Sequence, residues 1–325
     1  MNIVVIGLGS MGRRRIRLIQ KYNKMFNIIG VDVDESRRNI ASKELGIDTN
    51  DSLEQVISSR EIDCAFVCSS PLSHNKLINR CLKSNMHVFT ELNLVIDGYD
   101  ENIELSKEKG KLLFLSSTFL FREEIRKIND IVKEQSGLVN YSYHIGQYLA
   151  DWHPWENYKD FFVGNNRTNG CREIFAIELP WLINTFGEIK DIVVKKDKIS
   201  SLEIGYNDNY ILIVEHISGH KGMLAVDVIS RKAVRNLEVY GEKIYLSWDG
   251  SPQGLNVINI ETKSEENIVL YDNIEQLKEY SSFVIENAYY NEICSFFDGI
   301  KNNSNLIYGF EKDKIILELI DRIEA

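Results

Sequence analysis

Ile3-Val4-Val5-Ile6-Gly7-Leu8-Gly9-Ser10-Met11-Gly12, near the start of a chain of 325 residues, joins four apolar residues to a Gly-x-Gly-x-x-Gly. An amphipathic stretch, residues 11–22, follows it, and Asp32 ends a second apolar run 20 residues after Gly12. Strand, glycine turn, helix and a distant acid together form the dinucleotide-binding fingerprint, and each part has a physical task. Gly7 permits the tight turn, Gly9 lets backbone approach a pyrophosphate, and Gly12 lets helix and strand pack closely. The helix start, with Ser10 and Met11, offers free N–H groups and the positive end of the dipole to phosphate. Asp32 is expected to accept hydrogen bonds from the adenosine ribose. Its carboxylate repels a 2′-phosphate, so NAD is expected rather than NADP. Arg13, Arg37 and Arg38 stand close enough in sequence to offset that repulsion, although Arg13-Arg14-Arg15 reads rather as the solvated start of the helix.

Beyond the motif, apolar runs recur at residues 3–6, 28–33, 64–68, 87–90 and 112–115. Helical patterns fill residues 11–22, 36–45, 52–59, 73–83 and 98–107 between them. Runs apolar over consecutive positions are what buried parallel strands look like, and the alternation predicts a doubly wound α/β (Rossmann) domain over residues 1–120. After a helical stretch at 122–134 the texture turns to period-2 segments at 139–147, 189–196, 210–217, 223–229, 236–240, 244–248 and 256–260. A helix at 171–186, ended by Gly187, interrupts them, and residues 275–325 return to helical periodicity. Residues 121–325 are therefore expected to form an α+β domain with a mostly antiparallel open sheet.

Composition sets outer bounds. The chain has 44% apolar and 26% charged residues, ordinary globular values that argue against intrinsic disorder. Lys and Arg number 38 against 48 Asp and Glu, a net charge of −10, so no general nucleic-acid-binding surface is expected. No stretch approaches the ~18 uninterrupted apolar residues of a spanning helix, and the N-terminus lacks the basic segment of a signal peptide. Cys64, Cys68, Cys81, Cys171 and Cys294 are odd in number and scattered. They read as free thiols in a reducing cytoplasm, and no metal site is expected.

Three stretches resemble the glucose–fructose oxidoreductase / inositol dehydrogenase / rhizopine-catabolism (Gfo/Idh/MocA) family. They are Gly7–Gly12 with Val31-Asp32-Val33-Asp34; Asp63-Cys64-Ala65-Phe66-Val67-Cys68-Ser69-Ser70-Pro71-Leu72-Ser73-His74; and Asn85-Met86-His87-Val88-Phe89-Thr90-Glu91-Leu92-Asn93. Gly146-Gln147-Tyr148-Leu149-Ala150-Asp151-Trp152-His153-Pro154 resembles a branch associated with surface-polysaccharide sugars. The resemblance implies a nicotinamide enzyme acting on a sugar, nucleotide-sugar or cyclitol hydroxyl. It adds Ser69, Ser70, Pro71, His74 and Glu91 to the cofactor residues, and dimers or tetramers built through the second domain's sheet. It also implies a Lys and a His that handle the proton. Here the Lys position is Leu92, the Pro after it Asn93, and the family's Asp-x-Gly-x-His falls on Glu173-Ile174-Phe175-Ala176-Ile177. Neither Leu92 nor Ile177 can move a proton.

Two readings follow. In one, other groups perform the chemistry: Glu91, Glu173 and His153 are the catalytic candidates, with Glu178 a further carboxylate. Glu173 and Glu178 point about 140° apart on a helix and should not share a site. Tyr148, Trp152, Lys159 and Arg172 are the substrate candidates, within an aromatic and charged stretch that also holds Trp155, Tyr158, Phe161 and Phe162. In the other reading the chain binds NAD without turning it over, as a sensor, regulator or partner subunit.

Overall fold

The computed structural model of the chain describes residues 1–153, 156–277, 283–302 and 306–325, so Pro154 and Trp155 lie outside the described residues. Two compact units emerge: Met1–Thr118 with Tyr289–Leu319, and Phe119–Ala288 with Ile320–Ala325. A single cut at residue 120 leaves the whole tail in the second half, whereas residues 289–319 pack with the first unit.

The first unit is a parallel sheet ordered β3-β2-β1-β4-β5-β6. Its strands are β1 (Asn2–Ile6), β2 (Asn27–Val31), β3 (Asp48–Asn50), β4 (Cys64–Val67), β5 (His87–Thr90) and β6 (Leu113–Leu115). Helices α1 (Ser10–Tyr22), α2 (Glu35–Leu45), α3 (Leu53–Ser59), α4 (Pro71–Lys83) and α5 (Tyr99–Lys109) alternate with them. The expected strands and helices are present. β3 is new; Asp48-Thr49-Asn50 is a three-residue edge strand without an apolar side chain, which periodicity cannot find. Strand order reverses about β1, and in such sheets ligands bind outside the carboxyl ends of the strands at that reversal. Register pairs Ile6 with both Val31 and Val67, which brings Gly7, Asp32 and Cys68 to one edge.

The tail's place in this unit follows from the sheet. Phe66, Phe89 and Phe114 sit in register on three neighbouring strands and stack at 4.8 and 5.0 Å between centroids. That aromatic ladder must be covered, and Phe296 of α8 (Glu286–Asn302) meets all three edge-on at 5.1–5.8 Å. Fully burying one such ring stabilises by roughly 1.5–3 kcal/mol.

The second unit holds an eight-stranded sheet ordered β14-β13-β12-β11-β7-β10-β9-β8. In chain order come α6 (Glu123–Lys133), β7 (Asn140–Gly146), α7 (Gly170–Phe186), β8 (Ile189–Asp197), β9 (Asn209–His216), β10 (Lys221–Asp227), β11 (Val234–Gly241), β12 (Ile244–Trp248), β13 (Leu255–Ile258) and β14 (Glu265–Asn267). β10 pairs with β7 in parallel and every other pairing is antiparallel, so the expected class holds. β14 is all polar and exposed, again invisible to periodicity. Tyr141, Tyr143, Leu212, Val214, Leu224 and Val226 fill the covered face of the sheet. Residues 275–277 are not helical, and among the described residues the tail's helices are α8 and α9 (Phe310–Glu324). Among the described residues no helix is long and apolar enough to cross a membrane.

Candidate functional site

The glycine turn of the first unit has the shape its sequence requires. Gly7 sits at φ +93°, a conformation that favours glycine. A Cβ on Gly12 would lie 1.8 Å from the Gly7 carbonyl oxygen, so close helix–strand packing demands glycine there too. Gly9 faces open space, with no atom within 4 Å of where its Cβ would be. It also caps α1 without a side-chain bond, and no acidic residue stands in the first turn, so the N–H groups around Ser10 and Met11 have no side-chain cap. This is a cradle open to an anion.

Asp32, 8% exposed, is held by the Leu8 N–H (2.7 Å) and the Asp34 N–H (2.9 Å). Its carboxylate is thereby fixed beside the glycine turn. Of the three arginines near it in sequence, Arg38 donates to the carbonyls of Asp32 and Val33, and Arg13 lies 3.9 Å from Glu44. Arg37, half-exposed, stands 4.0 Å from Asp32. Open glycine backbone, an uncapped helix start and a fixed acid fit a dinucleotide whose ribose hydroxyls meet Asp32.

Ser69, Ser70, Pro71 and His74 lie beyond the end of β4. Pro71 opens α4 at a position where its missing N–H costs nothing. His74 is 2% exposed and bridges the Ser69 carbonyl (2.9 Å) and the Asn93 side chain (2.5 Å). Burial holds its imidazole below the usual range. His74 therefore braces two loops, and Asn93, at the family's Pro position, is the other half of that brace.

The arginine run differs from expectation. Arg14 and Arg15 are 2% and 0% exposed, not solvated. Arg15 lies between the rings of Phe89 (4.6 Å) and Tyr289 (5.1 Å) and donates to Glu91 (2.6 and 3.2 Å), Ser116 (3.0 Å) and Glu292 (2.8 Å). Glu91 follows β5 at the carboxyl edge, but with both oxygens on Arg15 it is a clamped carboxylate. Leu92, half-buried, follows it.

In the second unit, Asn169 caps α7 by accepting the Arg172 N–H (2.8 Å). Arg172 is 5% exposed and its guanidinium reaches Asp321 (2.7 Å) and Glu324 (2.5 Å), so it ties α7 to the end of α9. An arginine so engaged does not present a free cation to a substrate. Glu173, one residue on, is different. Its Oε2 is buried with no hydrogen-bond partner, and burial pushes the carboxyl up to about 7. The N-terminus of α7 favours the charged form, yet desolvation prevails. Tyr206 stands close enough for its hydroxyl to feel the Glu173 charge. Ile177 lies one turn on, as expected, and offers no proton. Glu178 is saturated by Tyr143 (2.8 Å), Trp181 (2.6 Å) and Arg235 (2.8 and 3.0 Å), a structural carboxylate that shares nothing with Glu173.

The loop between β7 and α7 carries the remaining candidates. His153 Nδ1 is 2.6 Å from Glu156, and its ring stacks on Phe161 at 4.7 Å. Trp152 donates its indole N–H to the Gln147 carbonyl (3.1 Å), and Lys159 pairs with Glu203. Tyr148 carries the exposed Arg231 guanidinium 3.5 Å above its ring centre. Tyr206 and Arg231 were not foreseen, because nothing local in sequence links them to residues 148–173. Among the described residues, no group of three or more His, Cys, Asp or Glu could hold a metal ion.

Residues 1–117 match a family model described as an oxidoreductase family with an NAD-binding Rossmann fold. The chain is 29% identical to human biliverdin reductase A over 192 residues, 58% of each protein. It is 24% identical to the myo-inositol 2-dehydrogenase of Thermotoga maritima, covering 98% of this chain and 94% of that one. The solved UDP-N-acetylglucosamine 3-dehydrogenase of Acidithiobacillus ferrooxidans shares the fold at a TM-score of 0.75 and 15% identity, over 100% of this chain and 96% of that one.

Proposed function

As this chain belongs to the Gfo/Idh/MocA family of NAD-binding oxidoreductases, we propose that it interconverts a hydroxyl and a ketone on a sugar, nucleotide sugar or cyclitol, with Glu173 carrying the proton. Bound NAD supplies the hydride acceptor. In the oxidising direction Glu173 takes the hydroxyl proton as the substrate's C–H hydride departs, and in reduction it returns that proton to the ketone oxygen. The observation that carries this reading is the buried, unpartnered Glu173 Oε2, held near neutrality where a general base works best. Two resembling proteins are named for dehydrogenating myo-inositol and UDP-N-acetylglucosamine, which supports a polyhydroxylated ring as substrate. Tyr148, Trp152 and Lys159 would line its path, and surface-polysaccharide sugar metabolism is the setting the loop's resemblance favours. Asp32 selects NAD over NADP. The free cysteines suit a cytoplasmic site.

The chain acts as a homodimer or homotetramer through its second sheet. Val193, Ile213 and Met223 lie side by side in register and are 52%, 60% and 51% exposed, an apolar row on the uncovered face. Oxidation of a panel of sugars, nucleotide sugars and cyclitols, followed by the appearance of NADH across pH, tests the assignment. Turnover that rises through a pH near 7 and falls 10²–10⁴-fold in Glu173→Gln is expected. Tight NAD binding with no turnover anywhere in the panel would establish the sensor reading instead.

A further inference from the structure

The clamped carboxylate at the nucleotide edge has an unusual support. Glu292, on the tail helix α8, is 0% exposed and accepts from Arg15 (2.8 Å), Ser116 (2.9 Å), the Ser117 N–H (2.8 Å) and Thr118 (3.0 Å). Burial pushes the Glu292 carboxyl up, but every partner is a donor, and Arg15 and these hydrogen bonds favour the ionised form against that burial. Arg15 thus stands between two carboxylates, Glu292 behind it and Glu91 in front, with its flanks closed by Phe89 and Tyr289. Arg14 also rests on the Tyr289 ring, 4.5 Å from its centre, and the Cys68 sulfur is 3.9 Å from Glu91. Of the ion-paired side chains, only Glu91 reaches the surface, 13% exposed against 0% for Arg15 and Glu292. The group therefore presents its negative end at the carboxyl edge of β5.

Asp32 fixes the adenosine on the β1–β2 side of the reversal, so the nicotinamide half of the dinucleotide belongs on the β4–β5 side. Oxidised nicotinamide carries a positive charge that the reduced ring lacks. We infer that Glu91, aimed by Arg15 and Glu292, biases the chain toward the oxidised cofactor. In this arrangement Glu292 is a positioning residue: it holds the far side of Arg15, so that two carboxylates share one guanidinium and the group keeps a net negative charge although Arg15 pairs with Glu91. This inference rests on the cofactor reading but not on Glu173 or on any substrate.

The test is a pair of affinities, for NAD+ and for NADH, measured by calorimetry on the intact protein without substrate. The adenosine and pyrophosphate contacts are common to both ligands, so general loosening of the site leaves their ratio unchanged. Glu91→Gln removes the charge at the edge, and Glu292→Gln removes the one behind it. Each should shift the ratio of dissociation constants toward NADH by roughly five- to tenfold, the size expected of one charge at a distance of several ångströms in a partly polar site. Glu91→Asp should retain most of the preference. If Glu292→Gln does not fold, the partly exposed Glu91→Gln alone decides. Weakened binding of both cofactors at a constant ratio would overturn the inference and leave a structural clamp. Failure of the unmodified protein to bind either cofactor would overturn it together with the cofactor reading.

Discussion

Glu91 and Glu173 are both carboxylates at positions the family resemblance singles out, and their surroundings set them apart. Glu91 has an arginine on both oxygens, whereas Glu173 has a buried oxygen with no partner. An unpaired buried carboxyl trades protons near neutrality, and Glu173 is pushed up to about 7 by burial. Linkage gives this a sign. Glu173 is raised from 4.5 to about 7 in the folded chain, so between those values the folded state binds more protons than the unfolded one. Stability therefore falls as pH rises across that window, by up to about 3 kcal/mol. Glu173→Gln should remove the loss, so urea unfolding at pH 8 should show the variant more stable than the parent, with the two nearly equal at pH 4. An identical pH dependence in both proteins would refute the unpaired state. At this scale the nucleotide residues were legible, since Gly7, Gly12 and Asp32 are fixed by local backbone geometry. Arg15 was misread because its partners, Glu91 and Glu292, lie 76 and 277 positions away.

At the scale of elements, apolar runs found every strand that has an apolar face and missed β3 and β14, which have none. The tail was read as helical but placed in the wrong unit. Its signal was present as Phe66, Phe89 and Phe114, one per strand, yet only the register shows that they form one ladder needing a cover. Phe296→Ala should accordingly cost about 3–5 kcal/mol of stability by chemical denaturation, the usual cost of deleting a buried ring. A change under 1 kcal/mol would mean that α8 is not a structural part of the first unit. Arg172 makes the corresponding tie in the second unit. Arg172→Ala strands the α9 carboxylates, one of them half-exposed, and should cost about 2–3 kcal/mol while leaving NAD affinity within about twofold. A selective loss of substrate affinity without loss of stability would instead restore Arg172 to the substrate site.

At the scale of the molecule, the chain divides into two units of different sheet type, and the NAD-binding family match covers residues 1–117 of the first. The exposed row Val193, Ile213 and Met223 is the face proposed for assembly. If the chain assembles there, light scattering should give a multiple of the monomer mass for the parent and the monomer mass for Ile213→Lys; a monomeric parent, or an unchanged oligomer in the variant, would refute the proposed interface. Fold and cofactor were readable from the sequence because they rest on glycine turns and periodicity. Glu173 was one candidate among several in the sequence; what sets it apart, a carboxyl raised toward neutrality, was not legible, because three-dimensional burial sets it and no motif records that. The proton-carrying role proposed for Glu173 is the central claim. Its most direct test is the pH profile of kcat/KM for NAD-dependent oxidation of whichever panel sugar is turned over, compared between the parent chain and Glu173→Gln. An ascending limb near pH 7 in the parent and a flat, roughly 10²–10⁴-fold lower profile in the variant are expected; a variant that keeps the parent's rate and its limb would contradict that role.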